Sequence, residues 1–164
     1  MLIPAPTIVS FVEHHTEEVI SLIRGVFTEY KAVFDVVGYD SDLLDINKHY
    51  KDCGGWFWVL VDDERVVGTS AMRRNNTGCE LKRVYLHQSY RGRGLGRVLT
   101  ERALQWATEA GCNVVVAWSD ARFLESHTMY NRLGFERFSE RVSGDSEGSL
   151  EYGFRRTLGA QSAL

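Results

Sequence analysis

Long apolar runs are missing from this chain. Nowhere do roughly 18 apolar residues follow one another, so no segment reads as a membrane span. The opening MLIPAPTIVSF lacks both a positive n-region and a long apolar stretch, so it does not read as a signal peptide. Cysteine is scarce and odd in number: Cys53, Cys79 and Cys112 are widely separated, a spacing of neither a metal site nor a disulfide framework. They are expected as small apolar residues in a reduced, intracellular chain. The histidines include no H-E-x-x-H pattern, and the adjacent His14 and His15 point apart on a helix or a strand, which suits a metal poorly. An excess of basic charge is also absent. The net charge is -3, which argues against a general nucleic-acid partner. These absences leave a cytoplasmic, metal-free protein with neither a membrane nor a nucleic acid as partner.

What is present is ordinary globular chain. Its 164 residues suffice for one domain with a real core, and 44% hydrophobic with 25% charged residues exclude disorder. Ile8 to Val12 reads as a first strand. Thr16 reads as an N-cap, followed by a helix whose Val19, Ile20, Ile23, Val26, Phe27 and Tyr30 recur at helical spacing. A second, shorter helix is expected behind Ser41, with Leu43, Leu44, Ile46 and Tyr50 on its buried side. Past Gly54-Gly55, Trp56 to Val61 and Arg65 to Met72 form a hairpin, and Glu80 to Leu86 forms the next strand. In that strand Leu81, Arg83 and Tyr85 should share one face, and Glu80, Lys82, Val84 and Leu86 the other. A strong amphipathic helix begins near Leu95, and the almost wholly apolar Val114 to Trp118 reads as a strand covered on both faces. Asp120 is the expected cap of a last helix ending at Gly134, before strands over 136–142 and 150–156. Helix-linked strands beside hairpins give an α/β fold: a three-layer α/β/α sandwich on a mixed sheet, in a single domain over 1–164.

The stretch from Arg91 to Gly96 carries the chemistry. Glycines bare the backbone of a turn and a helix N-terminus follows, so several N–H groups and the helix dipole meet in one place. Arg91, Arg93 and Arg97 add positive charge. A phosphate site fits this arrangement, and so does a flexible turn with surface arginines. G-x-x-x-x-G-K-S/T is not matched, because no Lys-Ser or Lys-Thr follows, and G-x-G-x-x-G fails because its sixth position is Arg97.

The surrounding residues resemble the GNAT superfamily of N-acetyltransferases. Arg91, Gly94 and Gly96 meet its Q/R-x-x-G-x-G/A core, and Tyr130 followed by Leu133-Gly134-Phe135 is similar to its second signature. The resemblance covers about residues 56 to 157, with 1–55 supplying the first strand and acceptor-side helices. It implies acetyl-CoA as co-substrate, lying where two middle strands of a splayed sheet part, often beside a β-bulge. Backbone groups of Val84, Tyr85 and Leu86 would meet the pantetheine arm, and Arg91, Gly92, Arg93, Gly94, Leu95, Gly96 and Arg97 the pyrophosphate.

Acetyl transfer also needs a neutral amine and an acid or hydrogen-bond donor for the departing sulfur. The resemblance makes Tyr130 that donor. Glu80, eleven residues before Arg91, is the matching candidate base, provided its cleft is narrow and apolar. A glutamate paired with a nearby lysine or arginine is the alternative. Where many members carry Asn seven residues before the tyrosine, Phe123 stands here, with Ser126 and Asp120 as nearby polar residues. Acceptor specificity is expected from the first helices and the late hairpin, with Glu29, Tyr30 and Tyr39 as candidates. The expected partner is a small-molecule amine, with a protein amino group or a non-catalytic acyl-CoA module as alternatives, and a homodimer is possible.

Overall fold

The structure is a computed structural model and describes residues 4–159; the two ends of the expected 1–164 span lie outside them. Seven strands form one sheet in the order β1-β2-β3-β4-β5-β7-β6. They are β1 (Thr7–Ser10), β2 (Trp56–Asp62), β3 (Arg65–Asn75), β4 (Gly78–Leu86), β5 (Val114–Asp120), β6 (Glu136–Val142) and β7 (Leu150–Thr157). Only β4 and β5 run parallel, so the sheet is mixed. The helices are α1 (Thr16–Glu29), α2 (Ile46–His49), α3 (Leu95–Glu109) and α4 (Leu124–Arg132).

Strand alternation in β2 explains the three layers. Trp58 and Leu60 face one way, Trp58 against Ala103 and Ala107 of α3 and Leu60 against Leu99. Phe57 and Val59 face the other way, against Val19 and Ile23 of α1. Each face of the sheet is thereby closed by an amphipathic helix, the sandwich expected from the sequence.

Several boundaries differ for local reasons. The expected second helix breaks into 3-10 turns at Ser41–Leu44 and Lys51–Cys53 flanking the one-turn α2. Asp45, at φ -145°, leaves helical geometry, and its side chain caps the next turn by accepting from the Lys48 amide. Thr16 is the first residue of α1 rather than its cap, and its hydroxyl donates to the Glu13 carbonyl. Asp120 ends β5 and does not cap α4, because its carboxylate is taken by the amide and guanidinium of Arg122.

The cysteine reading is also corrected. Cys79 and Cys112 form a disulfide with their Cα atoms 6.0 Å apart, while Cys53 is free and exposed. Cys79 is the second residue of β4 and Cys112 precedes β5. The two strands pair in parallel, with Cys79 opposite Val115, so the fold brings together thiols that are 33 positions apart in the chain.

Candidate active site

Alternation along β4 is interrupted, and the interruption builds the site. Thr69 pairs with Tyr85 and Ala71 with Lys82, so Arg83 and Val84 together oppose the single residue Ser70. This is a β-bulge, and Arg83 takes a left-handed φ of 54° within it. Leu81 and Tyr85 therefore fall on opposite faces, Leu81 with the α3 core and Tyr85 with the α1 core, contrary to the unbroken alternation expected. Pairing of β4 with β5 also stops early. The last bridge is Leu81 to Ala117, and beyond it the strands part.

A cleft of about 330 Å³ opens beside the parted end of β4. Val84, Tyr85 and Leu86 form one wall, Ser126, Met129 and Arg132 of α4 another, and the loop into α3 the floor. Gly92 and Gly94 hold φ of +77° and +76°, a backbone that a side chain would strain. Gly94 occupies the N-cap of α3 without a side-chain cap, so the first-turn amides are left to bind something else. Leu95, Gly96 and Arg97 line the same cleft, and Arg97 also pairs with Glu101 at 2.8 Å. Arg93 turns back to the Ser89 carbonyl and the Tyr90 ring. Arg91 ties the loop to β4: its guanidinium donates twice to the Leu86 carbonyl, at 3.1 and 2.9 Å, and once to Glu29 at 2.5 Å.

A second cavity of about 300 Å³ lies on the other side of the splay and shares Val84, Tyr85, Phe123 and Ser126 with the cleft. Glu80, Tyr130 and Tyr39 are in its walls. Glu29 and Tyr30 are not brought there. Glu29 holds Arg91 on the rim, and Tyr30 lines the first cleft beneath that guanidinium, 5.7 Å from its ring centre.

Tyr130 is buried, its ring packed on Phe135 and Phe154 at 5.3 and 5.4 Å. Burial, with a smaller push from Tyr85, raises its phenol well above the usual range, so it stays a proton-bearing donor. The same burial holds Tyr85 at about 12. Glu80 is 22% exposed and 3.7 Å from the Lys82 ammonium, an ionic setting rather than the narrow apolar one anticipated. Phe123 stands between the cavities, edge-on to Tyr30 at 4.8 Å and to Tyr85 at 6.3 Å.

Two features escaped the sequence reading. Arg83 is buried in the acceptor-side wall, its guanidinium held by Asp40 at 2.9 Å and by both oxygens of Asp42, while Tyr50 donates to Asp42 at 2.5 Å. Nothing in the residue pattern places the bulge at Arg83 and so turns that side chain towards Asp40. The other feature is a contact between Ser119 and His127, 3.1 Å apart and both buried.

The acetyltransferase (GNAT) family model matches residues 21–135. The chain belongs to that family. It is 33% identical over 103 residues to N-acetylaspartate synthetase of Danio rerio, a match covering 61% of this chain and 36% of that protein. It is 30% identical over 122 residues to the uncharacterized N-acetyltransferase YjgM of Escherichia coli (strain K12), covering 70% and 72%. The chain spans about a third of the length of the N-acetylaspartate synthetases it matches. Among solved structures, a GNAT-family acetyltransferase from Staphylococcus aureus Mu50 superposes with a TM-score of 0.85 at 22% identity, covering 94% of this chain and all of that one. The yncA protein of Salmonella typhimurium, solved with its cofactor acetyl-CoA, gives 0.78 at 20%, covering 98% of each. The seven-stranded sheet of this GNAT chain is thus the family's fold.

Acetyl-CoA fits the residues present. The uncapped amides at the start of α3 suit a diphosphate, and the parted edge of β4 leaves room for an extended amide-bearing arm. Among the described residues no three of His, Cys, Asp and Glu cluster as a metal site, and no helix is long and apolar enough to cross a membrane.

Proposed function

We propose that this GNAT chain transfers an acetyl group from acetyl-CoA to the primary amine of a small molecule. One observation carries the reading: the glycine-floored cleft and the acceptor-side cavity meet at Val84, Tyr85, Phe123 and Ser126, with Tyr130 in the wall of the second. When bound, acetyl-CoA supplies a thioester, an acyl donor open to attack by an amine nitrogen. The amides of residues 92–97 would hold its diphosphate, and Tyr130 would donate a hydrogen bond to its sulfur. A phenol kept neutral by burial suits that task better than it would suit proton abstraction.

The acceptor cavity, of about 300 Å³, is of a size for a metabolite and carries both signs of charge. Six carboxylates line it against the four cations Arg73, Lys82, Arg83 and Arg141. This excess of acid favours a cationic amine, although Arg83 holds Asp40 and Asp42 and Arg122 holds Asp120. Glu80, in the cavity wall, draws the ammonium in. Arg73 also lines the cavity, and among the described residues no carboxylate lies within ion-pair distance of it. Its Nε donates to the His49 carbonyl, and its guanidinium lies over the Tyr50 ring. A carboxylate on the acceptor would complete it. An amino-acid acceptor therefore suits the cavity, in keeping with the aspartate named for the matching synthetases.

The test is CoA release measured with amino acids, simple amines and short peptides. Turnover with small amines, highest for those bearing a carboxylate, is expected. Turnover confined to peptides would overturn the small-molecule reading.

A further inference from the structure

Two residues after the last β4–β5 bridge, Ser119 occupies the parted segment of β5 and lines the acceptor cavity. It is 7% exposed. Behind it stands His127, one helical turn before Tyr130 on α4 and 8% exposed, with Nε2 3.1 Å from Ser119 Oγ. The imidazole is wedged between Tyr152 and Phe154, with ring centres 5.6 and 5.0 Å away. A serine at the splay backed by a buried imidazole, beside the tyrosine assigned to the leaving sulfur, is not explained by packing alone. A core histidine needs a partner for its ring nitrogen, but that partner need not open onto the cavity.

We propose that Ser119 and His127 are the proton-accepting pair for the acceptor amine. The proposal rests on the acetyltransferase reading above. An N–H bond of the ammonium breaks as an O–H bond forms on Ser119 Oγ. The serine's own O–H bond breaks as an N–H bond forms on His127 Nε2. One positive charge thereby moves from the ammonium to the imidazolium, which later returns the proton to water. Ser119 touches the substrate; His127 acts through it.

The surroundings suit an imidazole that rests neutral. Burial lowers the proton affinity of His127, and Arg137 on β6 adds to this; the main chain and carboxylate of Asp120 on β5 oppose it. From β7 the phenol of Tyr152 and the Phe154 ring face it, and Tyr152 itself lies under the Arg137 guanidinium at 3.5 Å. At neutral pH the ring therefore rests unprotonated.

The test uses the full chain with whichever amine turns over best. Ser119→Ala and His127→Phe are each expected to lower kcat/KM by about 100-fold. Both should keep acetyl-CoA affinity and remove the acid limb of the kcat/KM pH profile. Ser119→Thr, which keeps the hydroxyl, should restore both rate and limb. Nitrogen NMR of the acceptor-free protein should show His127 neutral at pH 7 with its proton on Nδ1, whatever the activity of the variants. Wild-type rates and an unaltered acid limb in both variants would overturn the pair. So would a proton resident on Nε2 at pH 7. Failure of the wild type to acetylate any amine would overturn the function as well, whereas unchanged variants of an active enzyme would overturn the pair alone.

Discussion

Tyr130 shows how a residue's surroundings set its part in the reaction. Packed under Phe135 and Phe154, it cannot readily lose its proton, so its value lies in donating a hydrogen bond. Tyr130→Phe keeps the packing and removes the donor. It is expected to lower kcat by about 10- to 100-fold while leaving acetyl-CoA affinity within error, as read by steady-state kinetics and calorimetry. Arg73 is the matching case for binding. Arg73→Gln should raise KM for carboxylate-bearing acceptors about tenfold with little effect on amines that lack the carboxylate, because one charge-assisted contact is removed.

At the scale of elements, the bulge on β4 is the decisive feature. It turns Arg83 towards the 3-10 turn that carries Asp42 and leaves Tyr85 on the α1 side. Burial disfavours the Asp42 carboxylate, but the Arg83 guanidinium and the hydrogen bonds from Arg83 and Tyr50 outweigh it and hold this carboxyl below the usual range. The direction of pH dependence follows. A carboxyl with a lowered folded pKa contributes stability above its unfolded value of about 3.9, and loses it as pH falls through the folded value. Urea unfolding from pH 7 down to pH 2 should show this loss, and Asp42→Asn should flatten it. Arg83→Ala should cost about 3–5 kcal/mol at pH 7, since it strands two carboxylates in a largely buried site.

The same element shows what the sequence could and could not tell. The glycine loop, the helix behind it and the Tyr130 signature were legible because they depend on short-range spacing. Helix α1 and the hairpin of β2 and β3 were legible from periodicity. A bulge was implied by the family resemblance, but its place at Arg83 and Val84 was not legible, because one extra residue leaves no local mark when both are acceptable in a strand. The break at Asp45 was hidden by Leu43, Ile46 and Tyr50, which bury their side chains much as a helix would. Glu29 and Tyr30 were assigned to the acceptor from their position at the end of the first helix, but only the fold reveals that this end abuts Arg91.

For the whole molecule, the Cys79–Cys112 link joins the start of β4 to the loop after α3 and was invisible to spacing for the same reason as the ion pairs. It closes a segment containing both the bulge and the glycine loop. Chain-entropy reasoning for a loop of this length gives about 3–4 kcal/mol, so Cys79→Ala with Cys112→Ala should lower stability to denaturant by that order. Cleft and cavity sit on either side of one splay, and everything proposed for the acceptor depends on a thioester lying between them. Titration calorimetry of the folded protein with acetyl-CoA tests that most directly. Saturable binding is expected, weakened at least about tenfold by Gly94→Asp, which puts a carboxylate and a strained φ where the diphosphate is to lie. No heat of binding from acetyl-CoA or CoA, with no protection against thermal unfolding, would contradict the central claim.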